Sequence, residues 1–174
     1  LTESMPGMLG PMEFYGGFTG TETLPGERAA DYWVNNPTVI EGSNLYTMID
    51  QNGAHKLTVD GVTLQNGNRA SGSGSLLYKN GGTITVKNTT ITGGHAGGTA
   101  GAMYVGNATG SFENCEFSNS SATSAGGFAY LASSELTFTD CDITNNFTTV
   151  SQGGAMYVNT CNTEFTNCLF ENND

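Results

Sequence analysis

The sequence predicts an all-β fold, a parallel β-helix (solenoid) with about 26–27 residues per coil. Two strand motifs and one corner position recur with this single period, and these three observations carry the prediction. The first strand motif occurs in five copies at intervals of 27, 26, 26 and 27 residues, and its central apolar residues are Val59, Val86, Phe112, Phe138 and Phe165. Because neighbouring coils stack about 4.8 Å apart, equivalent residues should form columns along the solenoid.

In each copy of this motif, apolar residues alternate on both sides of a one-residue corner. Leu136 and Phe138 precede the corner residue Asp140, for example, and Cys141 and Ile143 follow it. A period of two is typical of strands, and the change of phase indicates a bend between two short strands. The corner residues tolerate left-handed backbone angles, and asparagines stacked there can form side-chain ladders. They are Gly61, Asn88, Asn114, Asp140 and Asn167.

The second strand motif reads AGAMYV, GGFAYL and GGAMYV in successive coils. It contains a column of tyrosines with the same period, formed by Tyr78, Tyr104, Tyr130 and Tyr157. We expect the column of Met103 and Met156 to face the core instead, because stacked buried phenols would each need a hydrogen-bond partner. Lys79 should point to the same face of its strand as the methionine column, and a lysine directed to the core argues against this orientation. The outward tyrosine ladder is either a binding platform for sugar rings or another protein, or edge packing that stiffens the sheet.

Three of the four cysteines also form a column, because Cys115, Cys141 and Cys168 are 26 and 27 residues apart. We expect them to stack inward as buried thiols. Stacked β-carbons about 4.8 Å apart exceed the disulfide span of roughly 3.5–4.5 Å, so a bridge within the column is disfavoured. Cys161 falls outside the column and could pair between chains.

Composition excludes several classes of partner. Sixteen acidic against five basic residues give a net charge of −11, which opposes binding to nucleic acid and to anionic membrane surfaces. No apolar run approaches the roughly 18 residues of a membrane-spanning helix, so no membrane insertion is expected. The length of 174 residues fits one domain.

The domain divides into two parts. Residues 1–37 are expected to form an N-terminal lead-in and cap over the first coil, and residues 38–174 a parallel β-helix of roughly five coils. The C-terminal end is expected to be open, because the last coil stops halfway at Asp174. Truncation from a longer protein and completion of the coil by a neighbouring chain are both open explanations.

Several segments resemble a known group of surface proteins. The sequence GGAMYV followed by FTNCLFENND resembles the repeats of polymorphic outer-membrane proteins, which are right-handed parallel β-helices of the pectin-lyase-like fold group. The segments FYGGFTGTET and NPTVIEGSN are similar to the lead-in of Bacteroidetes-type surface β-helix proteins. This resemblance implies a right-handed coil, secretion to the cell surface or extracellular space, and an adhesin-like or structural role.

Four carboxylates are the candidates for chemistry. Glu116 and Asp142 should stack in one outward column near Glu113 and Asp140. Such a set is either solvated surface, an oxygen-rich Ca²⁺ site, or a catalytic pair like that of a retaining glycosidase. Lys87 is expected to pair with Glu113 across the strands rather than act as a base, so no catalytic residue is assigned. No cofactor is expected apart from the Ca²⁺ alternative.

The open end predicts association between chains. Phe165 and Phe170 lie in the last strands with no following coil to cover them, and Phe14 and Phe18 lie in a segment that could form a matching first strand. Such ends would be complementary and would stack head to tail into filaments. Three functions therefore remain: a non-enzymatic, adhesin-like or structural scaffold, a filament subunit, and a carbohydrate-active enzyme. Other protein chains and carbohydrate are the expected partners.

Overall fold

A computed structural model describes residues 10–42 and 47–174. Short strands dominate these residues, with one 3₁₀ turn at Pro25–Glu27 and one helical turn, α1, at Tyr32–Asn35. In chain order the strands are β1 Met12–Tyr15, β2 Thr38–Glu41, β3 Ile49–Asn52, β4 Lys56–Asp60, β5 Val62–Gln65, β6 Asn68–Arg69, β7 Leu77–Asn80, β8 Thr83–Lys87, β9 Thr90–Thr92, β10 His95–Ala96, β11 Met103–Gly106, β12 Thr109–Glu113, β13 Glu116–Ser118, β14 Ser121–Ala122, β15 Ala129–Ala132, β16 Glu135–Thr139, β17 Asp142–Thr144, β18 Phe147–Thr148, β19 Met156–Asn159, β20 Asn162–Thr166 and β21 Leu169–Glu171.

The strands form four parallel sheets that wrap around one core. Sheet A has the order β1-β4-β8-β12-β16-β20, and sheet B has the order β2-β5-β9-β13-β17-β21. Sheet C has the order β3-β7-β11-β15-β19, and sheet D has the order β6-β10-β14-β18. Each step between neighbouring strands of a sheet is one turn of the chain, so the fold is a parallel β-helix of about five turns. The predicted fold class is confirmed.

The corner between sheets A and B has the predicted backbone. All five corner residues have positive φ angles, namely Gly61 at 75°, Asn88 at 48°, Asn114 at 53°, Asp140 at 53° and Asn167 at 52°. The Asn114 Nδ2 donates to the Asn88 Oδ1 at 2.8 Å, and the Asn167 side chain donates to Asp140 in the same way. The side-chain ladder predicted from the asparagine column is therefore present at these positions.

Stacked phenylalanines fill much of the core. The rings of Phe112 and Phe138 are parallel with centroids 4.4 Å apart, and Phe117 stacks on Phe128 at 4.4 Å. All four rings are buried. The first pair repeats one residue type a coil later, whereas the second joins different sides of the coil; stacked pairs of this kind stabilise the core beyond the burial of their area.

The cysteine column faces this core. Cys115 and Cys141 are buried, Cys168 is half-buried, and all four cysteines are free thiols. Each thiol of the column donates to a backbone carbonyl two residues earlier, as Cys141 does to the Thr139 oxygen at 3.3 Å. The inward register predicted for this column is confirmed. Cys161 lies at a different corner, where its Sγ accepts a hydrogen bond from the Ser134 amide at 3.4 Å.

The tyrosines of sheet C face outward and the methionine column faces inward, as predicted. Met103 is fully buried and Tyr104 is half-buried. Lys79, which argued against this parity, is also fully buried. Its ammonium donates to the carbonyl of Gly53 at 3.2 Å and to that of Gly81, and burial lowers the pKa of the amine. Lys79 can therefore point inward because its long side chain reaches carbonyl acceptors at the corner.

The beginning of the solenoid differs from the predicted boundary at residue 38. Strand β1 pairs in register with β4, with Phe14 opposite Val59, so the first coil already begins at Met12. The segment 17–37 is an excursion inserted at the first A–B corner, between β1 and β2. Residues 1–9 of the predicted lead-in lie outside the described residues.

The excursion also does not cap the first coil as predicted. It runs along the side of the solenoid, where Trp33 and Val34 lie beside residues of the third to fifth coils. Polar contacts with the corner hold it there, because Arg28 and Tyr32 bond to Asp60. In the part of the chain that the structure describes, no helix is long and apolar enough to cross a membrane.

Candidate functional site

A buried ion pair anchors the excursion to the corner. The Arg28 Nη2 lies 2.7 Å from the Asp60 Oδ2, and the Arg28 side chain is only 5% exposed. The Arg28 Nη1 donates to the Gly16 carbonyl at 2.8 Å, and the guanidinium lies over the Tyr32 ring, 3.8 Å from its centroid. Guanidinium groups suit such sites because they stack on aromatic rings while they bond to a carboxylate.

Tyr32 completes the anchor. Its hydroxyl donates to the Asp60 carboxylate and accepts from the Asn88 Nδ2 at 2.6 Å. Burial, together with the hydrogen bond to the carboxylate, raises the pKa of the Tyr32 phenol to about 12. The phenol therefore remains a neutral donor to Asp60 throughout the physiological pH range.

Gly61 makes room for this tyrosine. A β-carbon on Gly61 would lie 2.5 Å from the Tyr32 Cε2, closer than real β-carbon contacts. This contact explains why the second coil has glycine at a corner where Asn88, Asn114 and Asn167 follow. The exception in the column is a physical consequence of the docked excursion.

The anchored excursion and the corner enclose a groove of about 290 Å³. Trp33 and Val34 of α1 form one wall. The opposite side and the floor consist of Asn88, Thr89, Thr90, Asn114, Cys115, Glu116, Asp140 and Asp142. Trp33 is half-buried and packs edge-to-face on Tyr32, with ring centroids 4.9 Å apart.

The groove contains three of the four carboxylates that the sequence singled out. Glu116 and Asp142 are paired in register on β13 and β17, and Asp140 lies at the adjacent corner. Glu113 is directed to sheet A, where its Oε2 lies 2.6 Å from the Lys87 Nζ, as predicted. Within residues 10–42 and 47–174, no group of three or more His, Cys, Asp and Glu side chains is arranged to hold a metal. Calcium binding remains an untested prediction.

Asp140 interrupts the side-chain ladder inside this groove. A carboxylate cannot donate, so the Asn114 oxygen does not receive the ladder bond that the Asn88 oxygen receives from Asn114. Local stability would favour asparagine here, and a residue that breaks a local rule is expected at functional sites. Because the missing ladder bond lies in the groove beside Trp33, we regard the groove as a candidate binding site.

Asp140→Asn should stabilise the protein. The new amide would donate to Asn114 and would remove one charge from the acidic groove, so we expect a gain of about 1 kcal/mol, or roughly 2–4 °C in melting temperature. Thermal unfolding followed by circular dichroism measures it. Asp142→Asn, which removes a charge outside the ladder, is the control and should have a smaller effect. An unchanged or lower melting temperature for Asp140→Asn would contradict the ladder argument.

The tyrosine ladder has a geometry that limits its use as a platform. Successive rings are stacked with centroids 4.6, 5.8 and 5.1 Å apart and interplanar angles of 9°, 15° and 25°. The faces of Tyr104 and Tyr130 are therefore turned toward neighbouring tyrosines, and a sugar ring cannot stack on them. Arg69 lies 5.9 Å from the Tyr78 ring centroid at one end of the ladder. Ring edges and hydroxyls remain available to a ligand along the outer side.

The residues of the predicted assembly edge lie in different environments. Phe165 and Phe170 are 39% and 47% exposed, and they line an open cavity of about 510 Å³ on the last coil. Phe14 lies in the end strand β1, where it is half-buried against the core. Phe18 lies beyond that strand in the excursion, beside the guanidinium of Arg28 at 5.5 Å, and so does not belong to the first edge.

Trp33 and the anchor of the excursion form the groove, and the sequence did not assign them to a site. Two signals pointed to them: Gly61 departs from the asparagine column, and Asp140 is the one acid in that column. Neither departure identifies the residues that contact the corner, because Arg28 and Asp60 are 32 residues apart and their contact does not follow the repeat.

Comparison with known proteins extends the description of the fold. The family described as right handed beta helix region matches residues 35–174. No curated protein and no solved structure matches the chain.

Proposed function

The chain belongs to the right-handed β-helix family, and we propose that it is a non-enzymatic scaffold of the cell surface or extracellular space that binds a ligand in the groove beside Trp33, as an adhesin does. One observation carries the proposal. The regular coil is interrupted once within the described residues, by an excursion whose buried ion pair places an indole along a column of carboxylates.

The environment of the carboxylates favours binding over catalysis. Glu116 and Asp142 are both exposed, and a carboxyl that acts as a general acid near neutral pH is usually desolvated. Lys87, the basic residue closest in sequence to the groove, is paired with Glu113. A solvated carboxylate pair beside an aromatic wall suits recognition by hydrogen bonds and stacking.

A saccharide and peptide array tests the proposal. The wild-type domain should bind a subset of ligands, Trp33→Ala should lose that binding, and Tyr130→Ala on the tyrosine ladder should retain it. Chromatography of the bound ligand after incubation should show it intact. Binding that survives Trp33→Ala but not Tyr130→Ala would transfer the function to the ladder, and cleaved ligand would identify an enzyme.

A second candidate function is head-to-tail assembly, and the last coil favours it. Val158, Phe165, Leu169 and Phe170 are all exposed on this coil, and strands β18 to β21 are the last strands of the four sheets. Strand pairing within each of the four sheets is parallel, so a second copy could continue each sheet with the same strand direction.

The 174-residue chain should therefore self-associate, and Phe165→Lys with Phe170→Lys should abolish the association. Charges at the joint would have to be desolvated against the apolar face of the next copy. Leu24→Lys in the excursion, at an exposed apolar residue that lies on no end strand, is the control. Light scattering measures the effect, and a wild-type chain that stays monomeric at high concentration would eliminate assembly.

A further inference from the structure

We propose that the groove binds a linear saccharide that carries free amino groups, such as a glucosamine oligomer. This inference rests on the proposed function and names the chemical class of its ligand. Three properties of the groove carry it: its charge, its aromatic wall and its repeat along the solenoid.

The charge of the groove selects for a cation. Its lining contains three carboxylates and no lysine, arginine or histidine. An anionic saccharide, such as a uronate or a sulfated sugar, would be repelled by the groove and by the net charge of −11. Protonated amines would form charge-assisted hydrogen bonds with Glu116 and Asp142, which are stronger than neutral ones.

The aromatic wall provides a surface for an apolar ring face. Trp33 packs on Tyr32 and lines the groove, and Val34 beside it is 66% exposed. An indole attracts a cation near its face and also packs against the C–H groups of a sugar ring. The Asn114 side-chain amide and the Thr90 hydroxyl add polar groups suited to a polyhydroxylated ligand.

The repeat of the solenoid matches a polymer better than a single small cation. The carboxylates Glu116 and Asp142 lie on adjacent coils, so they recur at about 4.8 Å along the groove. A ligand that carries several amines can therefore contact both carboxylates at once, which a single small amine cannot do.

The test uses Trp33, the single tryptophan of the chain, as its own reporter. Trp33 fluorescence and calorimetry are recorded during titration with the tetramers of glucosamine, N-acetylglucosamine and galacturonate. We expect the glucosamine tetramer to bind tightest, with a change in Trp33 emission and an affinity that falls as salt is raised. Glu116→Gln with Asp142→Asn should weaken its binding by at least about ten-fold, because two charge-assisted bonds are lost.

A matched control removes two carboxylates elsewhere. Glu135→Gln with Glu164→Gln on sheet A reduces the net negative charge by the same amount and should change the affinity less than about two-fold. Equal effects of the two double variants would overturn the inference, since only the net charge would then matter.

The remaining outcomes separate this inference from the proposed function. Equally tight binding of the N-acetylated tetramer, still lost in Trp33→Ala, would overturn the amine specificity and leave the groove as a binding site. A lysine tetramer that binds as well as the glucosamine tetramer would show a cation site without saccharide preference. A Ca²⁺-dependent rise in melting temperature that Glu116→Gln with Asp142→Asn loses would assign the groove to calcium. No response of Trp33 to any ligand, on the array or in titration, would overturn both proposals.

Discussion

Cys141→Asp should destabilise the protein by several kcal/mol. Cys141 is fully buried, and its Sγ lies 3.3 Å from the Thr139 carbonyl oxygen and 3.7 Å from the Phe112 carbonyl oxygen. A carboxylate there would face two acceptors without a donor, and an unpaired buried charge is among the most costly substitutions known. Urea or thermal unfolding measures the loss.

The same column supplies the control. Val62 and Thr89 occupy the equivalent position in earlier coils, and both are buried. Cys141→Val should therefore change the stability by less than about 1.5 kcal/mol, because volume and polarity are nearly conserved. Similar melting temperatures for the aspartate and valine variants would show that the column does not face the core.

Asp60→Ala should release the excursion from the corner. The substitution leaves the Arg28 guanidinium, whose side chain is 5% exposed, without its carboxylate, and it removes the acceptor of the Tyr32 hydroxyl. Breaking a buried pair at one partner costs about 3–5 kcal/mol. Because the segment 17–37 can undock while the coils remain stacked, we expect the cost to appear as local opening rather than global unfolding.

Two measurements detect this opening. Trp33 emission should shift to the red as the indole becomes exposed, and limited proteolysis should cut within residues 17–37. The circular dichroism spectrum should stay that of the folded solenoid. Glu135→Gln, which removes an acid outside both the anchor and the groove, should change neither emission nor cleavage. Unchanged emission and protease resistance in Asp60→Ala would mean that the ion pair does not hold the excursion.

The double substitution Arg28→Met with Asp60→Ala refines the interpretation. Removing both charges eliminates the unpaired guanidinium, so the double variant should be docked better than Asp60→Ala alone. If ligand binding depends on the groove, binding should follow the docked fraction across these variants.

The periodic part of the molecule could be predicted from the sequence. The spacing of Val59, Val86 and Phe112 determined the stacking of β4, β8 and β12, and the corner residues determined where the coil bends. The inward cysteines and the outward tyrosines followed from the same register. These predictions succeeded because each coil contacts its neighbours through equivalent residues, so one repeat specifies the contacts of all.

The candidate site was predicted only in part. The column of Glu116 and Asp142 was visible in the repeat, but the wall that makes it a groove was not. A tyrosine platform was equally open from the sequence, and only the observed stacking of Tyr104 between its neighbours shows that its faces are covered.

The sequence by itself determined the coil, its period, its corners and the direction of its side chains, because these depend on contacts that repeat along the chain. Tertiary structure alone decided the path of residues 17–37. That path depends on single contacts between Arg28 and Asp60, 32 residues apart, and between Tyr32 and Asn88, 56 residues apart. Each of these contacts occurs only once, so the repeat pattern of the sequence does not predict it. The free energy of docking comes from a buried ion pair, which forms only when the excursion lies on the corner.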